Sequence, residues 1–126
     1  MAGPRCHDAG SFNGLGWVLE HRERSEKNII AAPRIVSYAA FGMGADEPLA
    51  TAESARKWVR KTSEQGADGI KFFGAPPEVM RAALDEAAKR GLGSMMHHAQ
   101  LDVVRWNVLD SARAVLGSME HWDGLP

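Results

Sequence analysis

The chain has 126 residues, 44% of them hydrophobic and 25% charged, which is the material of one ordinary globular domain. Its net charge of −1 offers no field to draw it to nucleic acid or to a charged membrane, and no apolar stretch approaches the about 20 residues that span a bilayer. A single cysteine, Cys6, excludes an internal disulfide, and Met1 to Gly10 hold no apolar run of the signal-peptide kind, so a reducing, cytoplasmic setting is expected.

In chain order, a first strand is predicted around Pro4 to Ala9, ending at Gly10. A helix from Leu15 to about Lys27 follows, with Leu15, Val18, Leu19 and Arg22 at helical spacing. Arg34 to Ala39 is rich in β-formers and reads as the second strand. A glycine-rich loop from Phe41 to Ala50 leads to Thr51, the expected N-cap of a helix reaching about Gln65, with Ala55, Trp58, Val59 and Thr62 on one face. The third strand lies between Gly66 and Gly74. Pro76 and Pro77 suit a helix start, and Met80, Ala83, Leu84, Ala87 and Ala88 form its apolar stripe up to a C-terminal cap at Gly91. Gly93 to His98 is the fourth strand. Val104, Val108, Ala112 and Val115 mark one side of a further helix, and Gly117 to His121 the fifth strand.

Strands alternating with helices predict an α/β fold with a parallel sheet. An open doubly wound sheet and a (β/α)8 TIM-type barrel both meet that pattern. No glycine-rich phosphate fingerprint follows the first strand, and Asp8, Lys71, His98 and His121 all stand at strand ends, where barrel enzymes keep their chemistry. The reading is therefore part of a barrel, about five parallel strands of it, because a full barrel takes about 250 residues.

Lys71 is the most informative residue. It sits inside Gly69-Ile70-Lys71-Phe72, where Ile70 and Phe72 alternate with Lys71 and Phe73 across the two faces. A cation on an apolar strand is costly unless paired, neutralised or bound, and burial makes its amine neutral and reactive. His98 and His121 end neighbouring predicted strands, and imidazole suits zinc and similar ions. A lone strand histidine is also an ordinary structural residue.

Gly66-Ala67-Asp68-Gly69-Ile70-Lys71, then His98-Ala99, then Ser118-Met119-Glu120-His121 resemble, in order and spacing, successive strands of the metal-dependent amidohydrolase superfamily, most closely its imidazolonepropionase-like branch. Asp8-Ala9-Gly10 and Arg34-Ile35-Val36-Ser37 resemble the family's second and third strands. The resemblance implies one partial barrel domain over residues 1–126, running from the family's second strand to its sixth, with the first and last strands absent. It implies two divalent metal ions, zinc by preference, bridged by a carboxylated, catalytic Lys71 and bound further by His98 and His121. It implies hydrolysis of C–N bonds in a small amide, lactam or peptide by a water that the two ions activate. The family's His-X-His pair and its late aspartate have no counterpart here, and His7 stands where relatives often carry arginine.

His97 competes with His98. The family's histidine precedes an alanine, which selects His98 and leaves His97 to face the helices. Two other readings remain open at this level. One is a Schiff-base aldolase with Lys71 as nucleophile. The other is a non-catalytic truncated product or a subunit completed by another chain. In either partial-barrel case, an exposed sheet is expected to self-associate or to pair with the missing strands. Asp102, Arg105 and Trp122 are further candidates to touch substrate, with solvated or packing roles as their alternatives.

Overall fold

The computed structural model describes residues 5–9, 13–98 and 106–120, with the backbone alone for residues 5–9. Strands and helices alternate strictly. They are β1 (Arg5–Ala9), α1 (Leu15–Glu26), β2 (Arg34–Ala40), α2 (Ala52–Glu64), β3 (Gly69–Phe72), α3 (Pro77–Lys89), β4 (Gly93–His97), α4 (Val108–Arg113) and β5 (Ser118–Glu120). All four pairings are parallel, and the five strands stand in sequential order. A doubly wound sheet reverses its strand order at a switch point. Here each crossover moves one strand further in one direction, so right-handed connections put every helix on the same face. That is a run of consecutive βα units of a TIM-like barrel.

Local sequence explains the helix ends. Thr51 caps α2 through its hydroxyl, which accepts from the Ser54 backbone N–H at 3.1 Å, and the Ser54 hydroxyl accepts in return from the Thr51 N–H. Pro77 opens α3, where its missing N–H costs nothing. The same helix ends in a Schellman turn. Gly91 adopts φ +67°, its N–H donates to the Ala88 carbonyl, and the Leu92 N–H reaches back to Ala87. The last helix departs from expectation. It begins only after Asn107, which caps it, and it buries Ser111 while Ala112 and Val115 are exposed. Val104 lies outside the described residues.

The core lies between sheet and helices. Ala39, Ile70, Phe72 and Met96 project toward α2 and α3, where they meet Val59, Val79, Met80 and Leu84. Full burial of Ile70 and of Phe72 contributes about 1.5–3 kcal/mol each. Phe41 lies against both Phe72 and Trp58, at ring separations of 4.9 and 5.2 Å, and the Trp58 indole N–H donates to the Met43 carbonyl. The glycine-rich loop after β2 is thereby tied down onto α2.

At the other end of the strands, Asp68 joins four segments. Its carboxylate accepts from the Ser37 N–H at 2.7 Å and from Arg22 of α1 at 2.9 Å. Its own N–H donates to the Ser37 carbonyl, and its carbonyl accepts from the Gly93 N–H. Asp68→Ala would strand the buried Ser37 N–H and should cost about 1–3 kcal/mol in denaturant unfolding, whereas Asp68→Asn, which keeps an acceptor, should cost less. Equal losses in the two variants would contradict this account.

Candidate active site

The opposite face of the sheet carries the chemistry. Cross-strand register places Ala40, Lys71, Met95 and Ser118 in one row. One step further along the strands, His97 pairs with Glu120, and the Phe73 and His97 rings lie 6.2 Å apart. Below the lysine row, the Tyr38 ring lies flat across Gly69 and Gly93. A methyl group at either glycine would stand within 3 Å of the ring, at 2.6 and 2.9 Å from Cζ. The two glycines are thus the slot into which this aromatic floor fits.

Lys71 is 4% exposed, and its ammonium nitrogen stands 5.9 Å from the centre of the Phe73 ring. Burial pushes its amine below the ordinary lysine value of 10.5, and Glu120 pulls the other way. Burial also pushes the Tyr38 phenol up, helped by the negative charges of Asp68 and Glu120. Glu120 therefore acts on both Lys71 and Tyr38 across a single face of the sheet.

The two histidines separate. His97 lies on the Lys71 face, beside Phe73 and in register with Glu120, so the expectation that it faces the helices is corrected. Alternation along β4 turns it away from Met96, which belongs to the helix-side core. His98, one residue on, is 1% exposed and bonds to α4, with Nε2 3.1 Å from Ser111 Oγ. The Trp106 indole N–H donates to that same hydroxyl at 2.6 Å. Burial lowers the His98 pKa, with neighbouring His97 adding to the effect, which favours the neutral ring. Its Nδ1 is buried and finds no partner among the described residues.

His121, Asp102, Arg105 and Trp122 lie outside the described residues, and so does the side chain of Asp8. Among the described residues, no three His, Cys, Asp or Glu side chains gather closely enough to hold a metal ion. Lys71 suits the centre that the sequence resemblance implies, because its amine is desolvated, but His98 does not share its face. The described residues therefore do not assemble a two-metal centre as folded. Tyr38, Phe73 and Glu120 are the site residues that sequence reasoning missed. Phe73 was within reach, since it shares the parity of Lys71. The other two needed the register between strands.

No family model matches the chain, and no curated protein matches it. Solved structures do. A Xaa-Pro dipeptidase crystallised with methionine in its active site is 21% identical, with a TM-score of 0.69 over 93% of this chain and 36% of that one. A Bifidobacterium longum protein assigned as a prolidase is 26% identical, with a TM-score of 0.62 over 93% of this chain and 31% of that one. The chain thus spans roughly a third of the length of each of these proteins. The likeness establishes the α/β barrel architecture. No helix among the described residues is long and apolar enough to cross a membrane.

The buried amine makes a prediction about pH. The Lys71 pKa is lowered by folding, so the folded state binds fewer protons than the unfolded chain at pH values between the two. The resulting penalty is complete below the folded value and is relieved as pH rises toward 10.5. Lys71→Met should raise the melting temperature at pH 7, by an increment that shrinks as the pH approaches 10. An increment that stays constant or grows over that range would contradict the desolvated amine.

Proposed function

We propose that residues 1–126 form part of an amidohydrolase-type barrel that hydrolyses C–N bonds in amides, lactams or peptides, with Lys71 at the centre of its site. The observation that carries this reading is an amine 4% exposed in the middle of a barrel strand and pushed toward its neutral form by burial. A neutral amine keeps its lone pair. It can attack carbon dioxide, forming an N–C bond and losing a proton to solvent, and the product is a carbamate anion. An anion at this position suits divalent cations, which when bound would polarise a carbonyl and acidify a water.

Two further lines support the reading. The order of Lys71, His98-Ala99 and Ser118 to His121 in the sequence supports the imidazolonepropionase-like branch, with two divalent ions and zinc as the first to try. The dipeptidase and the prolidase-assigned protein among similar structures support Xaa-Pro dipeptides as the first substrates to assay.

Carbon-13 bicarbonate with NMR detection tests the centre of this proposal directly. A carbamate carbon resonance should appear in the protein and vanish in Lys71→Ala. Zinc-dependent hydrolysis of an Xaa-Pro dipeptide or a lactam, where it is observed, should vanish with it. Hydrolysis that survives Lys71→Ala would overturn the reading. Borohydride trapping of an imine on Lys71 would move the assignment to Schiff-base chemistry.

A further inference from the structure

We infer that His97, rather than His98, is the β4 imidazole that serves the Lys71 site, and that His98 is a structural residue locked to α4. The inference rests on the hydrolase reading above and changes which side chain completes it. Three observations carry it.

The first is register. Lys71 pairs with Met95, so the residues of β4 that share its face are Met95 and His97. Met96 is on the other face, in the core against the helices. The second is contact. Lys71 and His97 both lie against Phe73, with the ammonium 5.9 Å and the imidazole 6.2 Å from its ring centre, and Glu120 stands across from His97 on β5. A ligand seated over Lys71 thus meets His97 and Glu120 at one level of the sheet.

The third is the way His98 is occupied. An indole N–H can only donate, so Ser111 Oγ accepts from Trp106 and has its own proton to give. His98 Nε2 shares a hydrogen bond with that hydroxyl at 3.1 Å, and the Met96 sulfur lies 3.7 Å from the same oxygen. His98 is thus engaged on the Met96 side of β4, among residues packed toward the helices, while His97 stands on the Lys71 side. The chain Trp106–Ser111–His98 explains why a short helix of 6 residues holds its place under the sheet.

Zinc titration by calorimetry, in bicarbonate buffer, separates the two residues, with thermal melts of each variant alongside. His97→Ala should weaken zinc binding by about tenfold or more and leave the melting temperature nearly unchanged. His98→Ala and Ser111→Ala should lower the melting temperature. His98→Gln retains a polar atom near the Nε2 position to meet Ser111 and removes Nδ1. It keeps the test meaningful if the alanine variant fails to fold, and it should bind zinc about as wild type does. Loss of zinc binding in His98→Gln, whether or not His97→Ala also loses it, would overturn the inference while leaving the metal reading intact. Unchanged binding in His97→Ala would overturn it equally. A wild-type chain that takes up no zinc at all would remove the metal reading, and this inference would fall with it.

Discussion

The placement of Tyr38 constrains everything above it. Its ring occupies the space that side chains at Gly69 and Gly93 would fill, so β2, β3 and β4 can meet in only one register on that face. A slip by one residue would drive the ring into a side chain and turn every residue of the strand to the other face. The floor therefore dictates that Lys71 stands in the row above it and His97 one level higher. Burial in that row pushes the Lys71 amine toward its neutral form.

The two ends of the strands divide the labour. The N-terminal end of β3 is held by Asp68, which ties the middle of β2 at Ser37 to the start of β4 at Gly93 and reaches Arg22 of α1. These contacts are of the stability kind, and none of them touches the Lys71 row. The C-terminal end carries the ionisable groups Lys71, His97 and Glu120, with the Trp58-anchored loop near by. A barrel keeps this polarity because its strand ends and loops can vary without disturbing the packed layer beneath them.

Burial by itself does not mark a functional residue in this molecule. Lys71 and His98 are both almost fully buried and both shifted toward their neutral forms. They differ in what surrounds them. Lys71 is bordered by the Phe73 ring and feels the charge of Glu120, two residues along the strand direction from its own row. His98 is engaged by a serine that is itself engaged by a tryptophan, an arrangement suited to positioning a helix.

Much of the architecture was legible in the sequence. Alternating apolar runs and helical stripes place the elements, Thr51, Pro77 and Gly91 mark helix ends, and the lysine inside an apolar strand singles out Lys71. These are local properties, determined by neighbours a few residues away. The late helix was misread because Ser111, a polar residue, is the one it buries, and its partners Trp106 and His98 lie beyond any helical period. The choice between His97 and His98 was beyond sequence for a related reason. Alternation says only that the two face opposite ways. Which of them shares the face of Lys71 depends on how β3 and β4 align, and that alignment is decided by an aromatic ring on β2 resting on two glycines of other strands.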